Sequence, residues 1–377
     1  MKKTILNLFF LFTASLLGAQ VITPSGLKTA LESASQASII SLDGVSPLSC
    51  PEISLTQTWG GGVLIFSDSP ESPTTRGMLY KDTTLGATTS GNPNRIFVYH
   101  ENNNSSSSMK FSVLIKNNGS SSGTLTVVQG GYSGPSTDFP YVGKMAFYRW
   151  LTNTGSSGAS VGAGQIVRLD TGFDSISAAQ GYVMHGIWDY TFTQPHTVMV
   201  CALNPADNPI TVGPGLSLLA RDVHERGTFS YCNKTDDTTS GEVIDTAAGI
   251  QQFPIGGNDD SDITGHDNSV SPPTSETDSG NYGVLYRMHL STSASDGQSL
   301  GVVITPRAGN WGGAVYAESG ILSGGKFLIP PSTTVFSDES EAAVEGEYNP
   351  GSGFTVWLQF MPTAASSFPV RFMTVPY

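Results

Sequence analysis

In the stretch ARDVHERGTFSYC, residues 220–232, two carboxylates, an imidazole and a guanidinium fall within five positions: Asp222, His224, Glu225 and Arg226. Side chains of these types can hold a polar ligand or move a proton. If the segment is extended, alternation puts Asp222, His224 and Arg226 on one face and Arg221 and Glu225 on the other, with same-face neighbours roughly 7 Å apart. Hydrolysis by paired carboxylates needs two acids over one cleft, and the local spacing supplies no second acid on the Asp222 face. The group therefore reads first as the charged edge of a strand, paired across to its neighbours and resistant to edge-to-edge association. Its alternative is a ligand-binding site.

Metal chemistry is the next class. The histidines, at 100, 185, 196, 224, 266 and 289, include no pair at the i, i+4 helix spacing or i, i+2 strand spacing of a ready-made site. GGNDDSDITGHDN (256–268) gathers Asp259, Asp260, Asp262 and Asp267 in a Gly-containing loop. Hard oxygen ligands on such a loop suit Ca²⁺, so calcium is the cofactor to test for. The spacing departs from the EF-hand loop, and a solvated acidic loop is the simpler reading. GSSSG (119–123) and GASVG (158–162) match G-x-S-x-G but sit in Gly/Ser-rich turns, so no serine hydrolase follows from them. Trp59 and Trp311 adjoin glycine runs, WGGG and NWGG, where an exposed indole could stack on a sugar ring. Trp357, in FTVWLQF, reads as core.

The elements that must position these residues are strands. Only 13% of residues are charged, while the chain holds 43 Gly and 22 Pro, so turn formers punctuate β-branched and aromatic runs. The expected fold is all-β: two tandem antiparallel β-sandwich domains, 52–205 and 206–377, after an N-terminal arm at 20–51 with one short helix. In that arm Ser25 could cap a helix whose Leu27, Ala30, Leu31 and Ala34 share a face. MKFSVLIKNNG (109–119) alternates and ends in a turn, which with GTLTVVQGG predicts a β-hairpin. TRGMLYKD (75–82) echoes ERGTFSYC (225–232), as duplicated domains would. The second copy then carries an insertion, 233–281, with ten Asp or Glu and one Lys.

Lys2 and Lys3 precede an apolar run from Ile5 to Leu17 and the small residues Gly18 and Ala19, the order of a secretory signal peptide spanning 1–19, with no membrane span expected after its cleavage. In an oxidising compartment two of the three cysteines can pair. Cys201 with Cys232 is the expected disulfide, and three buried thiols, Cys50 included, the alternative. A net charge of −13 with 18 Lys plus Arg supplies no cationic surface for nucleic acid or anionic lipid.

GGVLIFSDSPE (61–71), RGMLYKDT (76–83), GPSTDFPYVGK (134–144), RGTF (226–229), GNYGVLYRMHL (280–290) and the terminal PVRFMTVPY together resemble a group of secreted bacterial surface proteins. Members of that group are often labelled through an attached copper-amine-oxidase N-terminal-like stalk module. The resemblance implies export and a β-rich body, and no reaction. The stalk module is not recognisable here, and GNYGVLY is not the tyrosine motif from which amine oxidases build their quinone. The functional expectation is an exported, noncatalytic cell-surface or adhesion protein whose partner is a glycan or another surface protein. A carbohydrate-binding or carbohydrate-active protein is the first alternative. An outer-membrane β-barrel, prompted by terminal Tyr377 and acidic pI, is the second, although Pro376 interrupts its last strand.

Overall fold

The run HTVMVCAL forms a strand, His196–Leu203, that is buried at every position. Val198, Val200 and Ala202 face one apolar core and Met199, Cys201 and Leu203 another, because loop residues Leu216 and Leu218 cover the outer face. A computed structural model supplies this description for residues 20–256, 262–307, 309–331 and 335–377. The expected signal peptide and Asp259 and Asp260 lie outside the described residues.

The fold is all-β, with four sheets in two sandwiches. In the first, an eight-stranded sheet runs in the order Thr274–Asp278, Ile263–Asp267, Arg226–Phe229, Leu64–Ser67, Asn94–Asn102, Tyr182–Phe192, Gly123–Ser136, Ala159–Val161. It packs on a four-stranded sheet, Gly77–Leu85, His196–Leu203, Lys110–Asn117, Ile166–Arg168, through Ile65, Ile96, Val98, Val113, Trp188 and Val200. In the second, Ile39–Ser41, Glu341–Tyr348, Leu300–Pro306, Val370–Pro376 and Gln251–Ile255 form a five-stranded sheet. Its partner is a seven-stranded sheet: Leu55–Gly60, Asn233–Thr238, Leu285–Ser293, Phe354–Phe360, Gly313–Ala317 and Gly325–Ile329, with Ile244–Asp245 beside Leu285–Ser293. Pairing is antiparallel except at Leu64–Ser67 with Asn94–Asn102 and at the two strands running parallel to Leu285–Ser293. Each sheet path has two ends, so none closes into a barrel among the described residues, and the second functional alternative falls.

The sheets cross the boundary expected at 205/206. Leu55–Gly60 belongs to the second sandwich, while Arg226–Phe229, Ile263–Asp267 and Thr274–Asp278 extend the first. The arm is likewise built in: Leu27 and Leu31 are fully buried on the outer face of the five-stranded sheet, and Ile39–Ser41 pairs with Glu341–Tyr348. Pro24, not Ser25, occupies the cap position of that helix. The expected hairpin does not form. Lys110–Asn117 and Gly123–Ser136 lie in opposite sheets, so the Asn-Asn-Gly turn arches over the core, with Phe111, Val113 and Ile115 beneath it. The sequence echo is not a structural repeat either. Gly77–Leu85 and Arg226–Phe229 face each other within one sandwich, where the Tyr80 hydroxyl meets Thr228 Oγ1 at 2.8 Å.

Between the sandwiches lies a second helix, Phe139–Thr152, absent from the sequence expectation. Asp138 Oδ1 accepts from the Tyr141 amide at 3.1 Å and a proline sits in the first turn, both helix-start features. Val142, Ala146, Phe147, Trp150 and Leu151 are buried against the eight-stranded sheet and against Gly313–Ala317 and Gly325–Ile329. The approach is close enough that a Cβ on Gly131 would lie 2.2 Å from the backbone nitrogen of Trp150. Arg95, 0% exposed, joins the layers. Its Nε and a terminal nitrogen bind Asp189 at 2.7 and 2.9 Å, its other nitrogen reaches the carbonyls of Cys232 (2.6 Å) and Gly283 (3.0 Å), and its guanidinium lies 4.9 Å from the Trp150 ring centroid.

The three cysteines are unpaired and buried, which overturns the Cys201–Cys232 disulfide. Cys201 Sγ points at Met78 in the outer layer of the four-stranded sheet, whereas Cys232 Sγ approaches the Pro93 carbonyl in the central core. A disulfide needs Cβ atoms about 4 Å apart, and the two thiols occupy separate apolar clusters.

One buried carboxyl gives a pH prediction. The register between Leu300–Pro306 and Glu341–Tyr348 shifts between Val302, opposite Gly346, and Val303, opposite Val344, leaving Glu345 as the extra residue of a bulge. Glu345 is fully buried, neither carboxyl oxygen has a hydrogen-bond partner among the described residues, and burial pushes its pKa well above the ordinary 4.5. From pH 4.5 up to that raised value the folded protein holds a proton that the unfolded chain has lost, so stability falls as pH rises through the window. Glu345→Met is expected to stabilise the protein at neutral pH by about 1–3 kcal/mol, with the gain shrinking toward pH 4.5. Urea melts of both proteins at neutral and acid pH measure this, and a gain independent of pH would contradict it.

Candidate functional site

Strand pairing begins only at Arg226, so residues 220–225 are not a strand edge and their side chains do not simply alternate. The group of four is divided. Arg226, 2% exposed, turns into the first sandwich, where Nε binds Asp267 Oδ2 at 2.9 Å and a terminal nitrogen donates to the carbonyls of Ser69, Leu79 and Leu219 at 3.0–3.2 Å. Asp222 accepts from Ser69 Oγ at 3.0 Å and from the Glu71 amide at 2.9 Å. His224 lies between two acids, with Nε2 2.8 Å from Glu71 Oε2 and Nδ1 3.1 Å from Asp222 Oδ1.

His224 and Glu225 open onto a cavity of about 250 Å³, and two acids that local spacing could not reveal, Asp68 and Glu71, open onto it too. Its walls are the rings of Phe66, Phe97, Tyr99, Phe139 and Tyr282. Alternation explains part of this: Phe66 faces away from the inner core of the first sandwich, toward the second, and Asp68 follows it at i+2. The next strand contributes Phe97, stacked on Phe66 at 4.9 Å, and Tyr99. The buried helix contributes Phe139.

Desolvation dominates the electrostatics. Burial raises Asp68 well above the usual carboxylate range, and Glu71, Glu225, Asp222 and Asp278 raise it further by repulsion. Burial also raises Glu71, with His224 opposing, and Glu225. Asp222 is different: burial works to raise it, but hydrogen bonds from the His224 and Glu71 amides bring it below its ordinary value. The pocket thus combines acids that resist ionisation with one carboxylate held charged beneath the imidazole. A larger open depression, about 700 Å³, lies between Tyr132, Arg149 and Asp170. Its charged groups are already engaged: Asp170 accepts from Trp188 and two backbone amides, and Arg149 donates to the Tyr132 carbonyl.

Of the four acids expected to hold calcium, only Asp262 and Asp267 are among the described residues. Asp262 and Asp267 flank and end the strand Ile263–Asp267, which separates their backbones by about 16 Å at strand rise. Asp267 is the partner of Arg226, and Asp262 accepts from the Gly280 amide. Among the described residues no three His, Cys, Asp or Glu side chains are placed to hold one metal ion.

The tryptophans exchange roles. Trp311 is 0% exposed, packed between Phe336 and Phe360, so it is core and not a sugar platform. Trp59 is half-buried, stacked on Tyr231 with the Lys234 ammonium 5.2 Å from its ring centroid. Trp357, expected in the core, is 48% exposed. In FTVWLQF the inward positions are Val356, Leu358 and Phe360, and Trp357 falls between them on the outer face. There Trp357 pairs in register with His289, and Gln359 with Arg287 and Tyr316. The His289 ring lies 3.8 Å from the indole and is held through Nδ1 by Asp237 at 2.7 Å. Trp357, Gln359, Tyr316, Gln129, Glu318 and Lys326 line a shallow groove of about 430 Å³.

No family model matches the chain, and no curated protein is significantly similar to it. Among solved structures, the crystal structure of PBSX exported protein XepA is similar at 11% identity, covering 89% of this chain and 88% of that one, with a TM-score of 0.14. A likeness this shallow carries no argument about function.

Proposed function

We propose that this chain is an exported, noncatalytic surface protein that binds glycans on the outer face of its seven-stranded sheet. One observation carries the reading: Trp357 stands half exposed in mid-strand, fixed from one side by the Asp237–His289 pair and open to the groove on the other. A sugar ring presents an apolar C–H face to an indole and hydroxyls to its surroundings. Gln359, Glu318 and the Gln129 side-chain carbonyl supply donors and acceptors at the same groove, where Gln129 Nε2 and Lys326 Nζ are held by the Trp150 and Leu151 carbonyls. Export rests on the sequence of residues 1–19, and the noncatalytic reading on Glu318 being the one acid that lines the groove among the described residues.

A glycan array followed by calorimetry on the best ligand tests this. Truncating an aromatic anchor costs about 2 kcal/mol or more, roughly 30-fold in affinity. Trp357→Ala is therefore expected to abolish array binding while leaving the melting temperature close to wild type. Trp59→Ala, on the opposite face of the sheet, is expected to retain binding. Retention by Trp357→Ala would end the proposal, as would an array without a single ligand.

A further inference from the structure

The cavity beside His224 is chemically unlike the glycan groove. It offers five aromatic rings, three carboxyl side chains and no Lys or Arg. The nearby cations are committed elsewhere. Arg221 is paired with Glu276, Arg226 is buried on Asp267 facing the other side, and His224 is engaged by Glu71 and Asp222. Three polar atoms at the cavity lack a hydrogen-bond partner among the described residues, one of them His224 Nδ1, which lies 3.1 Å from Asp222 Oδ1. The Tyr99 hydroxyl belongs to a residue only 3% exposed and has no hydrogen-bond partner among the described residues, and Asp68 Oδ1 is buried in the same condition. An unpartnered buried hydroxyl is unfavourable by about 1–3 kcal/mol, and a ligand hydroxyl that donates to it or accepts from it relieves that.

We propose that this pocket binds a substituted ammonium ion of about the size of choline. Ring faces attract a diffuse cation, more strongly when it is desolvated, and Phe66, Phe97, Tyr99, Phe139 and Tyr282 supply such faces from three separate elements and a loop. Asp68, Glu71 and Glu225 supply carboxyls that ionise against a bound cation. A metal ion fits less well, because no three acidic or imidazole groups converge among the described residues. An anion is repelled. At about 30 Å³ per water, a cavity of about 250 Å³ holds roughly eight heavy atoms, which suits one alkylammonium head and not a disaccharide. Burial raises these carboxyls, and a bound cation favours their charged form, so binding is expected to release protons and to strengthen as pH rises. The inference is independent of the glycan reading.

The test is calorimetry on the whole chain with choline and with 3,3-dimethylbutan-1-ol, its uncharged carbon isostere. Choline is expected to bind roughly tenfold or more tightly than the isostere, since only the charge differs. Glu225→Gln, an isosteric change, and Tyr282→Leu, which removes a ring, are each expected to weaken choline by about tenfold. A choline-dependent rise in melting temperature, seen in wild type and reduced in Glu225→Gln, confirms that the variants fold and bind at this place. Trp357→Ala is expected to leave choline binding unchanged. Equal affinity for choline and the isostere, or no binding of choline by the wild-type protein, overturns the proposal.

Discussion

Arg95→Leu is expected to lower the free energy of unfolding by about 3–5 kcal/mol, the range for removing one partner of a buried ion pair. The side chain is completely buried and makes a two-pronged contact with Asp189, itself 7% exposed. Leucine leaves the Asp189 carboxylate in the core without its countercharge. It also strips the carbonyls of Cys232 and Gly283 of a donor at the point where the chain enters two strands of the seven-stranded sheet. Arg95→Leu combined with Asp189→Leu is expected to lose less than the single change, because no charge is then stranded. Guanidinium melts of the three proteins read this directly, and a single variant as stable as wild type would show that the clamp between the sandwiches holds nothing.

The second large effect is expected at Arg226→Leu, again about 3–5 kcal/mol, for the loss of the Asp267 pair and of three carbonyl contacts. This change has a consequence that Arg95→Leu lacks. Arg226 holds the carbonyls of Ser69 and Leu219, and the Ser69 hydroxyl and the Glu71 amide hold Asp222, which positions His224. Loss of Arg226 is therefore expected to weaken choline binding even below the temperature at which the protein melts. Choline affinity equal to wild type in the folded variant would separate Arg226 from the pocket.

Local chemistry carried the class of the fold. Turn-forming residues between short β-branched and aromatic runs mean strands, and nearly every run so read is one. The buried helix was also legible in DFPYVGKMAFYRWLT. An Asp cap, a proline in the first turn and apolar residues at 142, 146, 147, 150 and 151 follow the helical period. Surrounding Gly/Ser-rich strands masked it. The hairpin failed for a different reason. Alternation and an Asn-Asn-Gly turn specify two strands and a reversal, and they are indifferent to whether the second strand returns beside the first or crosses to the facing sheet.

The same distinction governs the sites. Asp222, His224, Glu225 and Arg226 are neighbours in the chain, yet Arg226 and Glu225 serve opposite sides of a sheet, and the acids that complete the pocket, Asp68 and Glu71, come from more than 150 residues away. Trp311 and Trp357 exchanged roles because an indole's burial depends on which face of its strand is covered, and a run such as FTVWLQF does not say which. The sequence by itself determined that the chain builds strands and carries a strongly negative net charge, since these follow from residue types and spacings of a few positions. Only the tertiary structure decided which strands pair, which thiols stay apart and which acids and rings share a cavity. Those outcomes depend on contacts between distant segments, selected by the joint burial of four sheets and not by any one stretch.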